Sequence, residues 1–83
     1  MGMALEALKD ANRVIGIKQV AKALRKRSVR EVYIADDADA RCIEPLMQSC
    51  REQSIEPTHV GTMKALGEAC GIEVGAAAAA TLR

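Results

Sequence analysis

Four basic side chains recur at helical spacing near the start of the sequence. Lys18, Lys22, Arg25 and Lys26 lie at positions i, i+4, i+7 and i+8, which form one face of a helix. They belong to the segment RVIGIKQVAKALRKRSVR, 13–30, which holds seven Lys or Arg residues and no acidic residue. Such a stripe of cations can bind the phosphates of a polyanion. A solvated helix face without a partner gives the same pattern.

The beginning of this helix adds backbone donors to the cations. Gly16 separates a short β-branched segment from a helix that is predicted to begin at Ile17. The first N–H groups of a helix lack partners within the helix and carry partial positive charge, so they suit phosphate. The amide of Gln19 can donate to and accept from a base edge. Lys18 and Lys22 oppose the helix dipole here, which is easier to understand if an anion binds.

Catalytic and metal-binding patterns are weak in comparison. His59 is the only histidine and lies in a predicted strand, although spacing alone does not decide whether it meets a cysteine. Cys42, Cys50 and Cys70 are odd in number and widely spaced, which argues against a disulfide framework or a zinc site. We expect reduced thiols that are buried or half-buried. The sequence therefore predicts no enzyme, no catalytic residue, no metal and no cofactor.

The acidic turn DDADA, 36–40, is predicted to form turns and helix caps. A calcium loop that started at Asp37 would need glycine and glutamate where Cys42 and Gln48 stand. Aspartates that cap helices or form turns explain the segment better.

Length and charge describe one small domain with two electrically different parts. The chain has 83 residues and a net charge of +1. Residues 1–30 hold eight basic and two acidic residues, and residues 31–83 hold four basic and nine acidic ones. Tyr33 is the only aromatic residue, so stacking of several bases is excluded and a structured target is favoured. No secretion signal or membrane span is present, and we expect a complete, cytoplasmic, monomeric protein of one domain, 1–83.

The predicted elements alternate between helix and strand. Helices are expected over 4–12, from 17 onward, over 45–53 with Pro45 as the first helical residue, and over 63–70. Strands are expected over 13–15, 31–35 and 57–61. Residues 40–44 are expected to be a short turn. The alanine-rich tail is ambiguous, since propensity favours helix but glycines and β-branched residues flank it. The alternation predicts an α/β fold, a three-layer α/β/α sandwich around a small four-stranded mixed sheet.

Four pieces of the sequence resemble one family over nearly the whole chain, from about residue 4 to residue 82. These pieces are GIKQVAKAL, VREVYIADDADA, LMQSC and KALGEACGIEVGAAAAA. They resemble the ribosomal protein L7Ae family of kink-turn RNA-binding proteins, and most of all its short bacterial, YbxF-like members. The resemblance implies that residues 76–82 form a strand.

The resemblance also implies a mechanism and a set of RNA-binding residues. A kink-turn is a sharply bent duplex with a bulge beside sheared G·A pairs. The implied contacts come from the start of the second helix and its basic face, and from a loop that covers the bulged nucleotide: Gly16, Ile17, Lys18, Gln19, Lys22, Arg25, Lys26, Ile72, Glu73 and Val74. Many archaeal and eukaryotic members carry Asn-Glu where this chain has Lys18-Gln19, which favours charge over base contacts.

The implied partners are a structured RNA with a kink-turn and, as a further candidate, the ribosome. No membrane and no small-molecule substrate are implied. Two other functions stay open: an adaptor for proteins in a ribonucleoprotein, which would use the acidic part of the chain, and a substrate-recognition domain related to those of RNA ribose methyltransferases.

Overall fold

A computed structural model describes residues 12–83, which form three helices and four strands. In chain order the elements are β1 (Arg13–Ile15), α1 (Ile17–Arg25), β2 (Val29–Ala35), α2 (Ala40–Glu52), β3 (Thr58–Val60), α3 (Met63–Ala69) and β4 (Ala78–Leu82). The helix predicted over 4–12 lies outside the described residues, apart from Asn12. No helix within residues 12–83 is long and apolar enough to cross a bilayer.

The four strands form one mixed sheet in the order β1-β4-β2-β3. Strand β4 runs antiparallel to both β1 and β2, and β3 runs parallel to β2. Strands β1, β2 and β3 therefore all point the same way. Residues 32–35 of β2 are buried, as expected for a strand in the interior of a sheet. The prediction of an α/β fold with a small four-stranded mixed sheet is confirmed.

Helices cover both faces of the sheet and give the predicted three layers. Successive side chains of a strand point to opposite faces, so β2 and β4 contribute to two separate cores. One core lies under α1 and α2 and contains Val20, Leu24, Val32, Ile34, Leu46, Cys50, Ala78 and Ala80. The other lies under α3 and contains Tyr33, Ala35, Val60, Leu66, Cys70, Ala76 and Ala79.

The alanine-rich tail forms the interior strand β4. Ala78, Ala79 and Ala80 are fully buried between β1 and β2 with a helix on either face. Small side chains let the helices approach the sheet closely, and this packing overrides the helix propensity of alanine. The strand covers 78–82 rather than the whole of 76–82. Ala76 instead donates its N–H to the carbonyl of Met63 at 2.9 Å.

Helix α2 begins five residues earlier than predicted. The turn expected over 40–44 is helical, and Pro45 lies inside the helix rather than at its first position. The carboxylate of Asp39 accepts a hydrogen bond from the N–H of Arg41 at 2.9 Å and so caps the helix. The earlier start places Ile43 on the same apolar stripe as Leu46, and this burial offsets the one hydrogen bond that proline removes.

All three helices end in the same motif. The residue after each C-cap has a positive φ: 55° at Arg27, 59° at Ser54 and 79° at Gly71. In each case that residue and the next donate N–H groups back to the last helical turn, as in a Schellman motif. Arginine and serine thus occupy a conformation that favours glycine.

Candidate nucleic-acid interface

The N-terminal ends of all three helices meet at one end of the sheet. Each helix follows one of the three strands that run in the same direction, so α1, α2 and α3 start where those strands finish. Hydrogen bonds tie this end together: Gly16 N–H to Ala78 O at 2.8 Å and Ala35 N–H to Ala77 O at 2.9 Å. The carboxyl end of the strands is where open α/β sheets bind ligands.

Two of these three helix starts are already satisfied by acidic or hydroxyl side chains. Asp39 caps α2. At α3, Asp37 accepts from the N–H of Met63 at 2.8 Å and Thr62 accepts from the N–H of Ala65 at 3.0 Å. The prediction that the acidic turn supplies caps is therefore confirmed. These carboxylates repel anions, which leaves the start of α1 as the favourable place for a phosphate.

The start of α1 is open. Gly16 is the N-cap and has no side chain to accept a hydrogen bond. The backbone N–H groups of Ile17, Lys18 and Gln19 have no acceptor among residues 12–83. The backbone of Gly16 has φ 102° and ψ 154°, which only glycine adopts without strain. No atom of the part of the chain that the structure describes lies within 4 Å of the place where a Cβ would stand. Another backbone can therefore approach the donors closely.

The predicted basic residues are all exposed but occupy different parts of α1. Lys18 and Gln19 lie in the first turn, whereas Ile17 is half-buried against the core. The helix has only nine residues, so Lys22 and Arg25 lie in its last turn and Lys26 is the C-cap. The expectation that Lys22 opposes the helix dipole is wrong, because a cation near the C-terminal end stabilises the helix. Only Lys18 opposes the dipole.

The loop after α3 presents one large apolar side chain to solvent. Val74 is 71% exposed and Glu73 is exposed, but Ile72 is half-buried and packs against the core under α3. The carbonyl of Val74 lies against Gly67, where any Cβ would clash with it. This close approach fixes the loop on α3. Of the two apolar loop residues implied to bind RNA, Ile72 and Val74, only Val74 presents its side chain to solvent.

The fold brings the loop next to the start of α1. Gly16 is hydrogen-bonded to Ala78, and the loop leads directly into that residue. Ile15, just before Gly16, packs in the same core as Ile72. Arg25 and Lys26 are not part of this junction, since they lie about 12 Å or more further along the helix axis from Ile17.

The sequence patterns did not indicate Arg13. Its side chain reaches from β1 to the end of α3, where Nη2 donates to the carbonyl oxygen of Cys70 at 2.8 Å. Arg13 Nε is buried and has no hydrogen-bond partner within the described residues, 12–83. In the sequence, Arg13 is only a charged residue at the start of a short β-branched strand. An exposed strand end has the same pattern, so the sequence did not indicate a contact with the end of α3.

The histidine and the three cysteines are the remaining residues considered for catalysis or metal binding. His59 lies in β3 as expected, and its Nδ1 is 2.8 Å from the carboxylate of Asp36. Burial raises the pKa of the Cys50 and Cys70 thiols, which keeps them protonated. Cys42 is exposed, contrary to the expectation of buried or half-buried thiols. Within residues 12–83, no group of three or more His, Cys, Asp or Glu side chains is arranged to hold a metal ion.

These features define an α/β sandwich with an open, basic helix start beside an apolar loop. The chain belongs to the Ribosomal protein L7Ae/L30e/S12e/Gadd45 family, which it matches over residues 3–83. It is 44% identical over 82 residues to "RNA-binding protein YbxF" of Geobacillus stearothermophilus, covering 98% of this chain and all of that protein. It is 45% identical over 82 residues to an "RNA-binding protein" of Geobacillus thermodenitrificans, with the same coverage.

A solved structure confirms the fold independently. The "Giardia lamblia 15.5kD RNA binding protein" superposes with a TM-score of 0.86 at 24% identity, covering 96% of this chain and 71% of the other. The family and the names of the relatives agree with the prediction of a binding protein rather than an enzyme.

Proposed function

We propose that this protein binds structured RNA at kink-turns and stabilises their bent form. The observation that carries the proposal is the uncapped start of α1, with Lys18 and Gln19 in its first turn, beside the loop that exposes Val74. RNA binding is the function named for the relatives. The resemblance of the sequence motifs to those of kink-turn-binding proteins supports the more specific proposal that the RNA contains a kink-turn.

In this proposal each part of the site meets a different part of the RNA. The free N–H groups after Gly16 bind a backbone phosphate at the bend. Gln19 pairs with a base edge in the widened groove beside the G·A pairs, and Lys18 lies in the same turn. Val74 packs on the base of the bulged nucleotide. Lys22, Arg25 and Lys26 bind phosphates further along the duplex.

The sole aromatic residue has no part in holding a base. Tyr33 is fully buried in the core under α3, and its hydroxyl donates to a Glu31 carboxylate oxygen at 3.0 Å. Burial, followed by the neighbouring Glu31, raises the pKa of Tyr33 to about 12. An exposed aliphatic side chain must therefore replace the usual aromatic platform, and the bulged base is bound by apolar contact.

Affinity measurements on matched RNAs test the proposal. The probes are a kink-turn duplex, the same duplex with its G·A pairs replaced by Watson–Crick pairs, and a plain duplex. We expect preference for the first, and Gln19→Ala should reduce binding to it by about 1 to 3 kcal/mol. Gln48→Ala, on the exposed face of α2, is the matched control. Equal affinity for the three RNAs would contradict kink-turn recognition.

An adaptor function has one supporting observation. A cavity of about 170 Å³ lies between α2 and the ends of β2 and β3, and its lining includes Ile43 and Met47 together with the acidic residues Asp36 and Glu44. Its charge suits a basic protein segment and repels RNA. Equal affinity for the three RNAs, together with measurable binding to a basic segment of a ribonucleoprotein, would favour this alternative.

We also propose that residues 1–83 form a single domain and that the protein acts as a monomer in the cytoplasm. Association with the ribosome, and kinship with the recognition domains of ribose methyltransferases, stay predictions. Sedimentation of the protein with and without RNA measures the oligomeric state.

A further inference from the structure

A groove beside α1 divides the basic residues into two sets. It has a volume of about 190 Å³ and runs between α1 and the edge of the sheet formed by β1 and the end of β4. Gln19, Lys22 and Lys26 line it from the helix, at spacing i, i+3 and i+7. Lys18 and Arg25 do not line it. A uniform basic stripe in the sequence is thus two surfaces in the structure.

The lining of the groove combines cations with an apolar floor. Val14, Ala23 and Leu82 form the floor, and none of the lining residues within 12–83 carries a carboxylate. Lys22 and Lys26 are one turn apart, about 6 Å along the helix axis, which is comparable to the distance between successive phosphates of an RNA strand. The carbon face of the sugar between those phosphates would meet the apolar floor.

The groove also contains a hydroxyl that can accept a hydrogen bond. Ser28 Oγ donates its hydrogen to the carbonyl oxygen of Ala23 at 3.2 Å. Because Ser28 is one of the lining residues, its oxygen keeps lone pairs that can accept a hydrogen bond, whereas the two ammonium groups can only donate. A ribose 2′-hydroxyl is a donor of the right kind, and deoxyribose lacks it.

We propose that this groove binds one ribose of the RNA strand. The phosphates on either side of that ribose contact Lys22 and Lys26, and the 2′-hydroxyl donates to Ser28 Oγ. The proposal rests on the proposed function, because it needs an RNA on the surface of α1. It adds the path of the strand away from the bend and a means of distinguishing RNA from DNA.

A scan of single 2′-deoxy substitutions tests the sugar contact. Each ribose of the kink-turn duplex, and of a plain duplex, is replaced in turn and the affinity is measured. With the unmodified protein, deoxy substitution at the ribose in the groove should reduce affinity about three- to tenfold. In Ser28→Ala that loss should disappear, and in the control Ser49→Ala, on α2, it should remain. Losses caused by the folding of the RNA itself are the same in all three proteins.

Neutral methylphosphonates at the two phosphates beside that ribose test the charge contact. Lys26→Gln should make binding insensitive to one of them. Arg25→Gln lowers overall affinity but should retain the full sensitivity, because Arg25 does not line the groove. Identical deoxy losses in the unmodified protein and Ser28→Ala would overturn the proposal, as would equal insensitivity in both charge variants. Failure of kink-turn recognition is seen separately, as equal affinity for the kink-turn and plain duplexes, and the plain-duplex scan still tests the groove.

Discussion

The guanidinium of Arg13 lies 2.8 Å from the carbonyl oxygen of Cys70, which hydrogen-bonds strand β1 to the end of helix α3. A cation at a helix C-terminus is electrostatically favourable, and the hydrogen bond is charge-assisted. Arg13 precedes Gly16 by three residues, and Cys70 precedes the exposed loop. The contact therefore connects the start of α1 with the loop after α3, the two segments that are proposed to bind the RNA.

Arg13→Gln should weaken binding to RNA with a bulge by about 1 kcal/mol, because the loop loses its fixed position relative to α1. A double-mutant cycle with Val74→Ala measures this coupling: the two losses should be less than additive. On a plain duplex, Arg13→Gln should have little effect. Arg13→Lys keeps a donor and should recover part of the affinity. Additive losses on the bulged RNA would show that Arg13 only stabilises the fold.

Ile72 and Val74 should separate stability from binding. Val74 is 71% exposed, so Val74→Ala should change the free energy of unfolding by less than about 0.5 kcal/mol and still reduce affinity for a bulged RNA. Ile72 is half-buried against the core, so Ile72→Ala should cost about 2 kcal/mol of stability. Thermal unfolding and RNA titration of both variants provide the check. Unchanged affinity in a stable Val74→Ala protein would remove Val74 from the site.

The elements that the sequence predicted poorly are those determined by distant contacts. The five alanines of the tail favour helix locally, and only the two covered faces of β4 explain the strand. Helix α2 begins before Pro45 because Asp39 caps it and Ile43 is buried. The acidic turn indicated a cap, but the burial of Ile43 depends on packing against residues distant in the sequence, which the segment around the proline does not reveal. In contrast, the start of α1 was predictable, because glycine followed by an amphipathic pattern is a local signal.

Arg27→Gly should stabilise the protein. Arg27 has φ 55° and ends α1 in the position that Gly71 occupies after α3. Glycine removes the strain of a left-handed conformation but adds freedom to the unfolded chain, so the expected net gain is about 0.5 to 1 kcal/mol. The melting temperature should rise by a few degrees, as measured by calorimetry. The reverse experiment, Gly71→Ala, should lower it.

The three thiols should react with disulfide reagents at two different rates. Cys42 is exposed and should react in the native protein, whereas Cys50 and Cys70 are buried and should react only after unfolding. Burial also raises the pKa of these two thiols, which lowers their thiolate fraction further. Replacing Cys42 by serine should leave RNA affinity within about threefold. Stoichiometric zinc in protein purified without added metal would contradict a purely structural role for the cysteines.

The residue types of the candidate site were predictable from the sequence. The separation of its basic residues into those that line the groove and those that do not was not predictable. Helical spacing placed Lys18, Lys22, Arg25 and Lys26 on one face, and all four are exposed. The groove that Lys22 and Lys26 share depends on where β1 and β4 lie, which no local pattern reveals. The length of α1, nine residues, also decides that Lys18 and Lys22 lie at opposite ends of the helix dipole.

Lys18 and Lys22 should therefore respond differently to substitution. Lys18→Ala removes a cation from the helix start and should raise the free energy of unfolding by about 0.3 to 1 kcal/mol, while it reduces affinity more for the kink-turn than for a plain duplex. Lys22→Ala should lower the stability of the protein slightly. It should weaken binding to both RNAs by the same factor, since a phosphate contact carries no sequence information.

Salt dependence distinguishes the two roles further. Loss of one phosphate contact in Lys22→Ala should reduce the slope of log affinity against log salt by about 0.7 to 0.9 on either RNA. Lys64→Ala, an exposed lysine in α3, is the matched control for the loss of one positive charge. Binding and chemical unfolding are measured for all three variants at several salt concentrations. If Lys18→Ala and Lys22→Ala each lose as much affinity for the plain duplex as for the kink-turn, the start of α1 is a general polyanion surface and does not recognise the kink-turn.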